Sequence, residues 1–106
     1  MLQARLLLPD RIAAGDVVTV RLLIQHAMET GYRQDLNGRV IARNVIRLVR
    51  CELAGVEVFR AEPSSGLSAN PLFEFSVRVR QSAEWLVQWE DEQGAKAELR
   101  QLMSVS

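Results

Sequence analysis

The run Phe73-Glu74-Phe75-Ser76-Val77-Arg78-Val79-Arg80 places an apolar side chain at every second position with a polar one between. Only an extended strand with one dry and one wet face satisfies that period. The same period of two runs through Val18, Val20, Leu22 and Ile24 against Thr19 and Arg21, and through Trp85, Val87 and Trp89 against Glu84, Gln88 and Glu90. No segment carries a helical stripe of comparable length, so neither a helix-borne site nor a nucleotide-binding βαβ unit has room. Further strands are expected at Ala4–Leu8, stopped by Pro9-Asp10 and therefore at an edge, and at Asn44–Leu53, Val56–Phe59 and Ala95–Leu102. Within Asn44–Leu53 the apolar phase slips, with Ile46 and Leu48 on one parity and Val49, Cys51 and Leu53 on the other, which predicts a β-bulge near Leu48. Ala54-Gly55 is expected to close a hairpin, and Ala14-Gly15-Asp16 and Asp91-Glu92-Gln93-Gly94 are expected turns. Seven short strands in 106 residues predict an all-β, immunoglobulin-like antiparallel β-sandwich, one domain over residues 1–106, with both tryptophans in the core between the sheets.

A chain of this length buries roughly two-thirds of its unfolded surface without a staple. Hydrophobic residues make up 48% of it, but no apolar run approaches the ~20 residues of a membrane helix, so no membrane partner is expected. Thirteen Lys plus Arg balance thirteen Asp plus Glu, leaving no excess field to condense onto phosphate, and nucleic acid is not expected either. Cys51 is alone, which rules out an intramolecular disulfide; in phase with Val49 and Leu53 it reads as a small core side chain rather than a reactive thiol. The N-terminal Leu6-Leu7-Leu8-Pro9 is too short for the apolar region of a secretion signal.

Two long connections interrupt the strands, over 25–44 and 61–72. The first holds the chain's only histidine and only tyrosine. Loops above ~12 residues in a compact domain are usually functional or disordered. Here Met28, Tyr32, Leu36, Val40 and Ile41 are spaced as apolar anchors that would pin the loop onto a surface, so an ordered binding loop is expected. Catalysis is poorly supported: one histidine with scattered serines makes no triad pattern, and neither Gly-x-Ser-x-Gly nor His-Glu-x-x-His occurs. An alternative is a small metal-binding or enzymatic sandwich using His26, Met28 and Glu29, but with no second histidine a closed tetrahedral site would need ligands from another chain. No cofactor is expected. A structural homodimer is a third reading. The residues favour a recognition module, in which sheet edges and end loops engage an extended segment or a second domain.

The string Leu23-Ile24-Gln25-His26-Ala27-Met28-Glu29-Thr30-Gly31-Tyr32-Arg33, followed by Arg39-Val40-Ile41-Ala42-Arg43-Asn44-Val45-Ile46, closely resembles the SoxZ family pattern L-I-x-H-P-M-E-T-G-x-R and I-P-R-x-I-I. The likeness continues through Leu53-Ala54-Gly55-Val56-Glu57-Val58-Phe59, Glu62-Pro63, Ser68-Ala69-Asn70-Pro71 and Trp89-Glu90-Asp91-Glu92-Gln93-Gly94. That resemblance implies the non-catalytic subunit of a sulfur carrier, a heterodimer with SoxY, whose C-terminal Gly-Gly-Cys-Gly-Gly arm bears the sulfur intermediates of thiosulfate oxidation. Other Sox enzymes would meet it transiently. It also implies the periplasm, reached by co-export with SoxY and without a signal of its own. This chain ends Leu102-Met103-Ser104-Val105-Ser106, so the sulfur-bearing cysteine is expected on the partner. His26, Met28, Glu29, Thr30, Arg33, Arg43, Asn70 and Pro71 are the candidate surface for partner and carrier, with Arg33 and Arg43 able to steer anionic sulfur groups. Ala27 and Ala42 depart from family prolines, and Ser64-Ser65-Gly66-Leu67 replaces a more apolar piece, so the loop backbone is less pre-set.

Overall fold

The computed structural model describes residues 4–63 and 67–106, so Met1, Leu2 and Gln3, with Ser64, Ser65 and Gly66 of the divergent second loop, lie outside the described residues. Seven strands form: β1 (Ala4–Leu7), β2 (Val17–Ile24), β3 (Ile46–Leu53), β4 (Val56–Ala61), β5 (Leu72–Arg78), β6 (Ala83–Asp91) and β7 (Lys96–Met103). They make a three-stranded sheet in the order β1-β2-β5 and a four-stranded sheet in the order β4-β3-β6-β7, with every pairing antiparallel. No helix is present among the described residues. The architecture is all-β, and its two sheets over one core fit an immunoglobulin-like sandwich.

Alternation decides which face of each strand is dry. Val18, Val20, Leu22 and Ile24 are buried from the first sheet, and Val49, Cys51, Trp85 and Val87 meet them from the second, each of the latter wholly inaccessible. Trp85 donates its indole N–H to Met103 Sδ at 3.3 Å, so the polar edge of the largest core residue is satisfied in the interior. Burial pushes the Cys51 thiol up to about 12, as suits a packing residue with no thiolate character.

The phase slip in β3 is a bulge where expected: its register against β6 shifts between Ile46 and Leu48. A second shift, which the sequence did not signal, separates Cys51 from Glu52 opposite β4. The Ala54-Gly55 hairpin turn has φ of 52° and 81°, the left-handed pair that matches strand twist. Ala54 bears a cost of roughly 1–2 kcal/mol for that conformation.

The cleanest alternation in the sequence belongs to an edge strand. Phe73, Phe75 and Val77 of β5 are only half-buried, because β5 has a neighbour on one side alone. Phe75 stacks on Phe59 of β4 with centroids 4.4 Å apart and meets Trp85 edge-on at 6.1 Å, which closes this flank of the sandwich with aromatic rings. A long axis of 55 Å, about twice the span of an eight-residue strand, fits a structure that projects beyond the sheets. The 25–45 connection leaves the sheets at the end where β4 and β6 also finish.

Candidate functional site

Antiparallel pairing brings the end of β2, the start of β3, the start of β5 and the end of β6 to one end of the sandwich. Two long connections meet there as soon as they leave the sheets. Ile24 donates its N–H to the Pro71 carbonyl at 3.1 Å, and Asn70 donates its N–H to the His26 carbonyl at 2.7 Å. His26 in turn donates its N–H to Asn70 Oδ1 at 3.0 Å. Asn70 sits at φ 52°, a left-handed conformation that asparagine tolerates because its short amide bonds locally.

The His26 ring fastens this junction to the β6–β7 turn. Met28 donates its N–H to Nδ1 at 2.9 Å, so Nδ1 is an acceptor, the ring proton is on Nε2, and Nε2 donates to Asp91 Oδ2 at 3.2 Å. Asp91 is only 8% exposed. Its Oδ2 also accepts from Asn44 Nδ2, and its Oδ1 accepts the N–H groups of Gln93 and Ala95, each at 3.0 Å. Burial pushes the Asp91 carboxyl upward, but the bonds from Asn44, Ala95, His26 and Gln93 outweigh it and hold the group below the usual carboxylate value. One buried carboxylate thus ties together three separate segments of chain. Asn44 Oδ1 is buried and has no hydrogen-bond partner among the described residues.

Beyond this base, residues 29–44 form a two-stranded arm. Glu29 and Asn44 exchange both backbone hydrogen bonds at 2.8 Å, Ile41 donates to the Arg33 carbonyl at 2.8 Å, and Gln34 bridges to Val40. The tip is a capped turn: Asp35 Oδ1 accepts the N–H of Asn37 at 2.8 Å and of Arg39 at 3.0 Å, and Asp35 N–H donates to the Arg39 carbonyl at 2.8 Å. Gly31, at φ +92°, lies so close to the opposite strand that a Cβ there would be 3.3 Å from Arg43 Cβ. Only glycine meets both demands without strain.

Of the expected apolar anchors, Met28 alone is fully buried, at 4% exposed, with its Sδ accepting the Ile46 N–H at 3.3 Å. Ile41 is half-buried. Tyr32, Leu36 and Val40, expected to pin the loop to a surface, do not: they are 91%, 105% and 60% exposed. The arm is held by backbone pairing and by its polar base, which the sequence pattern could not show because hydrogen-bond partners far apart in sequence leave no period.

The candidate residues separate accordingly. His26, Met28, Glu29, Asn70 and Pro71 converge at the base, but Met28 and Pro71 lie beneath the surface they were expected to form. Thr30 is half-buried beside them. Arg33 and Arg43 are engaged in ion pairs. Arg33 grips Glu29 through Nη2 and Nε at 2.6 and 3.2 Å, which holds Glu29 below its ordinary range, and Arg43 Nε meets Glu92 at 2.9 Å with the same effect on Glu92. Both ring nitrogens of His26, the Met28 sulfur and the Glu29 carboxylate are therefore occupied within the chain. Among the described residues no group of three or more His, Cys, Asp or Glu is placed to hold a metal. Sequence reading missed Asn44, Asp91, Glu92 and Gln93; Asp91-Glu92-Gln93-Gly94 signalled a turn, but not that its first carboxylate is buried.

Residues 6–101 match the family described as sulphur oxidation protein SoxZ. No curated protein sequence matches the chain. Among solved structures, the superoxide reductase (neelaredoxin) from Ignicoccus hospitalis is similar, with a TM-score of 0.73 and 17% identity over 99% of this chain and 81% of that one. A variant of the same enzyme gives a TM-score of 0.75 at 17% identity, over 98% of this chain and 80% of the other. At such identity the likeness is one of fold.

Proposed function

This chain belongs to the SoxZ family, which gives it a role in the Sox sulfur-oxidation system, and from that membership we propose that it is the non-catalytic subunit of the sulfur carrier. In this reading it binds SoxY, whose C-terminal cysteine carries the sulfur intermediates of thiosulfate oxidation, and the pair meets other Sox enzymes transiently in the periplasm. The observation that carries the reading is the family match over residues 6–101. The chemistry of the chain supports it. His26 spends both nitrogens on structure, Cys51 is buried with its thiol pushed up to about 12, and Arg33 and Arg43 are neutralised by Glu29 and Glu92. A group so committed neither attacks a sulfur compound nor takes its proton, so the bond-making thiol belongs on another chain.

Rigidity at one end of the sandwich is what a scaffold of this kind requires. Two connections locked by a buried carboxylate, with Asn70 of a third bonded to His26, present a shaped surface whose ordering cost is met before any partner arrives. Co-expression with SoxY followed by size exclusion and native mass spectrometry tests the assignment. A one-to-one complex is expected, with no thiosulfate turnover by the isolated chain. Two separate monomers, or a homodimer indifferent to added SoxY, would remove it.

A further inference from the structure

The arm over 29–44 carries large apolar side chains that nothing in the described chain covers. Tyr32 and Leu36 are 91% and 105% exposed and Val40 is 60% exposed, all within nine residues of an arm whose shape depends on other atoms. Backbone bonds between its strands, the Asp35 cap and the His26–Asp91 junction fix the arm without help from these three. Ordered backbone presenting exposed aromatic and aliphatic groups is the anatomy of a binding anchor, because little conformational freedom remains to be lost on docking.

Charge and symmetry restrict what can cover it. Near the tip, Arg33 is neutralised by Glu29 and the Asp35 carboxylate faces backbone N–H groups, whereas the Arg39 guanidinium has no ion-pair partner among the described residues. Two copies meeting arm to arm about a twofold axis would bring Arg39 toward its own image, an unfavourable like-charge contact. A contact of the arm elsewhere on a second copy would have to be exchanged reciprocally about a twofold axis or close into a ring, and otherwise extends into open chains. A different protein that offers an apolar cavity with facing carboxylates meets the uncovered side chains and the Arg39 guanidinium without either constraint.

We propose that the arm tip, through Tyr32, Leu36 and Val40 with Arg39 at the edge, inserts into an apolar pocket rimmed by carboxylates on the partner subunit. This rests on the carrier-subunit reading above and adds the element that makes the contact and the chemistry it seeks.

Isothermal titration of the full chain with SoxY, at low and at high salt, tests it. The variant Tyr32→Ser/Leu36→Ser/Val40→Ser is expected to bind about a hundredfold more weakly with its melting temperature unchanged, since truncated anchors dominate interface energies. Arg39→Glu is expected to lose about tenfold at low salt, with the difference shrinking at high salt. Leu102→Ser, at an 80% exposed position on β7, serves as the control and is expected to change nothing. If the native chain binds SoxY and the triple variant binds equally well, the arm inference fails while the carrier reading stands. If the native chain does not bind SoxY, the carrier reading itself fails. A native chain that self-associates, with the triple variant monomeric, would make the arm a contact between copies and overturn the choice of partner.

Discussion

The sandwich interior and the projecting arm are built on opposite plans. Between the sheets, apolar side chains face inward and the charged ones lie outside in ion pairs such as Arg21–Glu74 and Arg100–Glu84. In the arm, the buried end is polar, organised on Asp91 and His26, and the large apolar groups Tyr32, Leu36 and Val40 are outside. A core that buries its apolar surface within one chain is complete as it stands. An arm that spends its polar groups on its own order and leaves its apolar groups uncovered is arranged for a second molecule.

Substitutions that separate the two plans follow in order of expected cost. Trp85→Ala, in the wholly buried centre, is expected to lower unfolding stability by about 3–5 kcal/mol in a denaturant titration. A loss under about 1 kcal/mol would mean that the sheets do not pack on this ring. His26→Ala leaves the Met28 N–H without its acceptor and Asp91 without one donor, and is expected to cost about 1–3 kcal/mol. Faster amide exchange should then appear in residues 26–30 and 44–46 more than in β6. Uniform acceleration across the sandwich would show that the junction belongs to the core rather than to the arm.

Acid should act on the same junction. The Asp91 pKa in the folded chain is lowered from its ordinary 3.8, so as pH falls the unfolded chain takes up a proton first. The stabilisation from this group is therefore complete above the unfolded value and is lost as pH falls through the lower, folded one. Thermal melts between neutral pH and about pH 2 should show a loss for the native chain that is shallower in Asp91→Asn; parallel curves would assign the acid sensitivity to other carboxylates.

Gly31→Ala is a smaller perturbation. It forces a side chain to φ +92° within 3.3 Å of Arg43 Cβ and is expected to cost about 1 kcal/mol. Its effect on a melt is slight, but it should splay the two strands of the arm and be visible in the chemical shifts of Arg33 and Ile41. Smallest of all, Leu36→Ser removes a side chain with no cover and should leave stability within about 0.5 kcal/mol of native. A cost above 1 kcal/mol would place Leu36 against the chain's own surface.

The interior was legible in the sequence because alternation is a local signal. Val18 to Ile24 and Trp85 to Trp89 announce their strands, their buried faces and even the bulge beside Leu48. Depth of burial was not legible: the strict alternation of Phe73 to Val77 reports a two-faced strand and says nothing of its place at a sheet edge. The base of the arm was legible only in part. His26 and Asn70 stand out by residue type and position, but the bond from His26 to Asp91 spans 65 residues and involves a carboxylate that reads like any turn aspartate. The tip was misread for a related reason. Spaced apolar residues indicate that something will cover them and cannot indicate whether it belongs to the same chain.

Hydrogen–deuterium exchange on the full chain, alone and mixed with SoxY, tests most directly whether the arm is kept for a second molecule. Amides of residues 30–42 should exchange markedly more slowly in the mixture than in the isolated chain, with those of β3 and β6 unchanged. Protection confined to the sheets, or an arm that exchanges at the same rate with and without SoxY, would contradict it.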